Sequence, residues 1–133
     1  MSSITNDGEN LMLNFMLNTE TATRPTAWFV ALHDGDPGET GATDEIVVGT
    51  DTDYVRQSVV FGPASAGQCL NITAATSWTA ASSITDYTIS HVSIWSAATG
   101  GTCYFKGALL ATVDMTNDSV FTISVGDLAV QLD

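Results

Sequence analysis

Positive charge is what this chain has least of. Lys and Arg together number three, at Arg24, Arg56 and Lys106, against fifteen Asp and Glu, so the formal net charge is −12 at pH 7. The acids are near normal in number and the cations are depleted, which holds charged residues to 14% against the roughly 25% of typical soluble domains. So few cations cannot neutralise phosphates, which argues against nucleic-acid binding and attachment to anionic membranes. Such a surface suits a basic protein partner, divalent cations or a saline setting.

Other features are missing too. No apolar run approaches the length of a membrane span. The N-terminal stretch has Asp7 and Glu9 and no basic residue before its apolar patch, so it does not read as a secretory signal. No internal repeat is visible, and no nucleophile elbow surrounds any serine. There are two cysteines, Cys69 and Cys103. They cannot build a zinc site alone, and a disulfide between them requires their Cα atoms to come within about 7 Å. Pairing is left open, favoured by an oxidising exterior.

What is present fits one domain over 1–133, with 44% apolar residues, enough for a core without staples. A helix is expected over 6–19, with Asn6 as its cap, Glu9 bonding back to the cap amide, and acids at the positive helix end. Asn10, Asn14 and Asn18 recur every four residues along one narrow stripe. Leu11, Met12, Leu13, Phe15, Met16 and Leu17 cover the rest, so the helix must be buried on most sides. Either it closes the domain's own core or it docks on a neighbouring subunit through residues such as Leu11, Met12, Phe15 and Met16.

From residue 26 to 133 the pattern is β. The run 27–33 is nearly all apolar, as in a strand covered on both faces. Residues 34–53 form a long acidic loop with a small apolar island at Ile46, Val47 and Val48. A strand over 54–61 places Val55, Gln57, Val59 and Phe61 on one face and Tyr54, Arg56, Ser58 and Val60 on the other. Weaker signals fall at 70–74 and 78–80. A strand over 85–95 places Tyr87, Ile89, His91, Ser93 and Trp95 opposite Thr88, Ser90, Val92 and Ile94. Residues 102–105 and 109–113 read as one strand interrupted at Lys106 and Gly107, and two alternating strands end the chain. Seven or eight short strands with regular turns give an all-β fold, an antiparallel β-sandwich or its jelly-roll variant, with one N-terminal helix.

Candidate chemistry is sparse. Asp34, Asp36 and Glu39, with Asp44, Glu45, Asp51 and Asp53 beyond, offer oxygen ligands for Ca²⁺, but the spacing is not that of an EF-hand, and Asp36-Pro37-Gly38 also makes an ordinary turn. His33 and His91 could meet Asp34 or Asp86 and a serine such as Ser93, although structural histidines fit better. Tyr54, Tyr87 and Trp95 are candidate glycan-facing aromatics, the alternative being cross-strand packing. Asn71 and Asn117 begin glycosylation-type triplets. Arg24 and Arg56 are expected to meet carboxylates, in cis to pin the acidic loop or in trans to tie subunits.

The order of pieces carries a resemblance. Arg24-Pro25-Thr26 before an aromatic strand, the turn Asp36-Pro37-Gly38-Glu39, Tyr54-Val55-Arg56-Gln57, Ile94-Trp95 followed by Ala98-Thr99-Gly100-Gly101, and Gly107-Ala108-Leu109 together resemble a family of small tailed-phage structural proteins, many labelled tail fibre or virion protein. The resemblance runs over nearly the whole chain and brings no catalytic residues. It implies a non-enzymatic virion component, assembled in the host cytoplasm and exposed on the particle as a symmetric multimer with other virion proteins. A capsid-surface decoration or turret-like role is the first expectation, because one compact domain lacks a repetitive shaft. A short tail fibre or baseplate adhesin binding host glycan is the alternative, and a free carbohydrate-binding module is the rival from another class.

Overall fold

The apolar alternation resolves into two β layers and one helix. The computed structural model describes residues 3–19, 21–72 and 76–132. Along the chain these form β1 (Ser3–Ile4), α1 (Asn6–Leu17), β2 (Trp28–His33), β3 (Gln57–Val59), β4 (Gln68–Leu70), β5 (Thr76–Thr79), β6 (Tyr87–Trp95), β7 (Cys103–Met115), β8 (Val120–Ile123) and β9 (Ala129–Gln131). One layer is an antiparallel five-stranded sheet in the order β1-β7-β6-β2-β3. The other consists of two antiparallel pairs, β4 with β9 and β5 with β8. This is an all-β sandwich with an N-terminal helix, as the strand spacing implied.

The core lies between the layers. Val30 and Leu32 of β2, Ile89, Val92 and Ile94 of β6 and Met115 of β7 meet Trp78 of β5, Ile123 of β8 and Leu128. Each such aliphatic side chain contributes about 1.5–3 kcal/mol on burial. Trp78 stacks on Phe121 at 5.6 Å between ring centroids and donates its indole N–H to the Val55 carbonyl at 2.9 Å, so its polar atom is satisfied.

Two expected strand faces change. β6 pairs Ile89 with Val113 and His91 with Ala108, so a bulge separates Ile89 from His91. Tyr87 and Ile89 therefore share the core with Val92 and Ile94, rather than with His91, Ser93 and Trp95. The strand expected over 54–61 pairs only at Gln57–Val59, with Phe61 continuing as an isolated bridge to Asn71. Outside that ladder the alternation lapses: Tyr54 is buried and Val55 is 58% exposed. β7 runs unbroken through Lys106 and Gly107, which stay in register with Ser93 and Val92; its register shifts lie on either side, at Tyr104 and at residues 109–112. Of the weaker signals, 78–80 became part of β5, whereas 70–74 shifted to β4 at Gln68–Leu70, with Thr73 and Ala74 outside the described residues.

The helix begins at Asn6 as expected, but its cap is not Asn6. Thr5 is the cap: its Oγ1 accepts from the Gly8 N–H at 3.2 Å and donates to the Cys103 carbonyl at 2.7 Å, clamping the helix start to β7. Gly8 is required there, because a Cβ would collide with the Tyr104 carbonyl and with Ile4 Cγ1. Asn18 closes the helix, so it ends before residue 19.

Candidate functional site

The outer face of the five-stranded sheet is covered by the acidic loop, and Arg56 fastens it. Arg56 Nε and Nη2 donate to the two carboxylate oxygens of Glu45, each at 2.8 Å, and Nη1 donates to the carbonyls of Ala97 and Gly100. The guanidinium lies 3.7 Å from the centroid of Trp95. Trp95, Ala31 and Cys103 form a second small core on this face. Gly41, at φ +72°, presses against Cys103 and Trp95 so closely that a Cβ would lie 2.8 Å from Trp95 Cζ2. Within the chain, then, Arg56 ties the acidic loop to the turn after β6.

Tyr54 joins the same network. Its hydroxyl accepts from the Leu32 N–H at 3.1 Å and donates to Glu45 Oε1 at 3.0 Å. Burial would push the Glu45 carboxyl up, but the Arg56 hydrogen bonds and charge, with the Tyr54 hydroxyl, outweigh it and hold the carboxyl below its ordinary range. Burial, then the Glu45 charge, pushes the Tyr54 phenol well up. Tyr87 is pushed up by burial and by its bond to the buried Asp51, whose carboxylate accepts the Tyr87 hydroxyl at 2.8 Å and the N–H groups of Ala81 and Asp53. Tyr54, Tyr87 and Trp95 are each less than a tenth exposed, so they form no glycan-facing surface. Their polar atoms serve the interior.

The suggested cation ligands separate. Asp36 and Glu39 converge on the Lys106 ammonium, at 3.0 and 3.6 Å, while Asp34 is exposed at the end of β2 with its N–H on the Asp44 carbonyl. Asp36 also accepts from the Gly38 N–H, the Asx turn of an ordinary bend, and that bond followed by Lys106 holds its carboxyl low. Glu39 accepts from the Asn6 N–H at 3.2 Å, so this corner latches the loop to both β7 and α1. Among the described residues no three His, Cys, Asp or Glu side chains gather as a metal site. Lys106 and Asp51 were not singled out from sequence as fasteners; the scarcity of cations was the available signal for Lys106.

His33 and Ser93 do meet. Trp95 Nε1–H donates to Ser93 Oγ at 2.7 Å, Ser93 Oγ lies 2.6 Å from His33 Nε2, and His33 Nδ1 donates to the Thr43 carbonyl at 2.8 Å. The imidazole is oriented by a backbone carbonyl, and both His33 and Ser93 are wholly buried, so no substrate reaches them. His91 bonds to its neighbour Ser90 instead. Both cysteines are free thiols; Cys103 is buried behind the loop, which pushes its pKa to about 11. Asn71 cannot carry glycan, because its buried amide donates to Ser124 and accepts from Gly126 and Leu128.

The helix departs most from expectation. Gly8 is its one buried residue, and Leu13, Phe15, Met16 and Leu17 are 56, 66, 73 and 76% exposed. Beside the helix lies an apolar groove of about 260 Å³ lined by Leu11, Met12, Phe15, Met16 and Arg24. Arg24 is exposed, while Arg56 and Lys106 are occupied by Glu45 and by the Asp36–Glu39 corner.

A small β-sandwich whose polar groups fasten its own loops, and whose helix offers bare apolar side chains, has the build of an assembling structural subunit. Residues 3–131 match the family described as Podophage GP4 fiber I protein gp80, and the chain belongs to that family of phage fibre proteins. It is therefore a structural component of a tailed-phage virion. No curated protein matches the chain significantly.

Proposed function

We propose that the protein is a non-enzymatic subunit of a short tail fibre, displayed on the particle exterior and held there by the α1 face. The carrying observation is the helix: a folded sandwich leaves Phe15, Met16 and Leu17 mostly in water, although it buries aliphatic side chains completely elsewhere. Uncovered apolar surface of this kind marks a protein contact. The family's description as a fibre protein supports the tail over the head. A capsid-decoration role is the second reading, favoured by the absence of a repetitive shaft among the described residues.

The test combines labelling and assembly. Antibody-gold on purified particles is expected at the tail; gold around the head would replace the fibre reading with decoration, and accessible particles without label would overturn both. Supplied during particle assembly, a Phe15→Ser/Met16→Ser variant should fold normally yet be incorporated about tenfold less, since losing central apolar contacts weakens a protein interface by that order or more. Undiminished incorporation would remove α1 from the attachment site.

A further inference from the structure

One side of the sandwich is open in both its backbone and its side chains. β7 is paired along one side with β6, but on the other β1 reaches only Phe105 and Lys106, so among the described residues β7 is unpaired on that side beyond Lys106. Past Ala108 the strand also leaves its ladder with β6, and residues 109–112 stand opposite Ser90 alone. Between this edge and the corner where β8 leads into β9 lies an apolar groove of about 560 Å³, walled by Leu109, Val113 and Phe121 and by the core residues Val92, Ile123 and Leu128. An unpaired edge beside an apolar groove is the arrangement that receives an added strand, whose backbone pairs with the edge while its side chains fill the groove.

Charge narrows the composition of that strand. Asp127 is the one ionisable group lining the groove, and it is exposed. No lysine or arginine of the chain is left for it: Arg56 holds Glu45, Lys106 holds Asp36 and Glu39, and Arg24 lines the separate groove beside α1. Asp114, next along β7 after Val113, is exposed as well and accepts from the Thr88 hydroxyl. Uncompensated carboxylates at the rim of an apolar groove, in a chain of net charge −12, draw a segment that carries cations and apolar side chains together. Strand geometry sorts the two kinds, because alternate residues point to opposite sides: one set enters the groove and the other stays at its acidic rim. The cations of this chain stand singly at 24, 56 and 106, so none of its own strand-length segments has that composition and the occupant is a different protein.

We propose that the β7 edge takes up, as an added strand, an extended segment of another protein in which apolar residues alternate with lysine or arginine. The surface is separate from α1 and does not depend on the attachment role assigned to the helix.

The test uses the full chain and a synthetic peptide of about eight residues in which valine and lysine alternate, long enough to run the edge. Calorimetric titration should show saturable binding that NaCl weakens, and amide hydrogen exchange should slow at residues 108–113. The same peptide with a central proline, or with glutamate in place of lysine, should bind at least about tenfold less, the first because it breaks the ladder and the second because it meets Asp127 and Asp114 with like charge. Ala111→Trp, which fills the groove from an exposed position, should weaken binding at least about tenfold, the contribution of one buried valine side chain. Asp127→Lys, also at an exposed position, should weaken binding of the lysine peptide about fivefold and strengthen that of the glutamate peptide. Circular dichroism checks that both variants fold. Absence of binding overturns the proposal, and so does binding indifferent to the proline and to both substitutions, which would be attraction to the acidic surface at large. A free chain that sediments at twice the 14.0 kDa chain mass and becomes single with Ala111→Trp would give the edge to a second copy and overturn it too.

Discussion

His33 is a buried base that the fold keeps neutral. Burial lowers its pKa below the ordinary 6.5; the Thr43 hydrogen bond and the Glu45 charge oppose this without reversing it, while the Arg56 and His91 charges add to the lowering. The unfolded chain binds this proton near pH 6.5, whereas the folded chain binds it only at lower pH. Stability from His33 is therefore complete above about 6.5 and is lost as pH falls toward the folded value. Glu45, held below its ordinary 4.5, adds a second loss only in more acid solution. Urea unfolding midpoints should stay level from pH 8 to 7 and decline below 6.5. In His33→Gln the decline between 6.5 and 5 should flatten while the loss near pH 4 remains. An unaltered slope in that variant would assign the effect to other groups.

At the scale of elements, the acidic loop is a layer of the fold, held to the sheet by a short set of contacts. Residues 34–53 bridge His33 at Glu45, bury Ile46 and cover Trp95 and Cys103. Arg56→Ala removes a two-pronged ion pair, two carbonyl contacts and a ring stack, and leaves Glu45, only 20% exposed, without a cation. The expected cost is about 2–4 kcal/mol, below the upper range for deeply buried pairs because water reaches Glu45. Limited proteolysis should then cut first within 34–53. Unchanged protease resistance together with an unchanged unfolding midpoint would show that Tyr54 and the Lys106 latch suffice.

How far the sequence was legible follows from the same elements. β2 and β8 obey a single rule each, a continuous apolar run and a strict alternation; β2 stood within the run 27–33, and β8 formed at Val120–Ile123, stopping short of Val125, where the alternation ended. The faces of β6 beyond Ile89 did not follow their alternation, because the ladder is irregular there, with residues 109–112 of β7 opposite Ser90 alone, and nothing in the composition of β6 marks the change of phase. Tyr54 and Tyr87 read as outward residues because alternation has no access to the partners, Glu45 and Asp51, that draw their hydroxyls inward. The apolar character of α1 was plain, but the hydrophobic pattern alone does not tell whether the sandwich covers it, and it leaves Leu13, Phe15, Met16 and Leu17 mostly exposed. Arg56 was legible through scarcity, since a chain with three cations uses each at a particular place.

For the whole molecule the deciding quantity is the balance between twelve excess negative charges and the few ion pairs that oppose them. Salt weakens both, so its net effect shows which is larger. The Lys106 contacts with Asp36 and Glu39 involve carboxylates more than half exposed, where such pairs add little and are readily screened. The Arg56–Glu45 pair is shielded from solvent and is screened less. Repulsion, by contrast, is spread over an acid-rich surface that ions reach freely. Raising NaCl from 20 to 500 mM should therefore stabilise the protein, with a gain in Tm of about 3–6 °C for a gain of roughly 1–2 kcal/mol in a chain of this size. The measurement is calorimetry on dilute protein carrying Phe15→Ser and Met16→Ser, so that association does not contribute. A fall in Tm would mean that the exposed Lys106 latch and the Arg56 pin together outweigh the repulsion, and that the acidic surface is no burden on the isolated subunit.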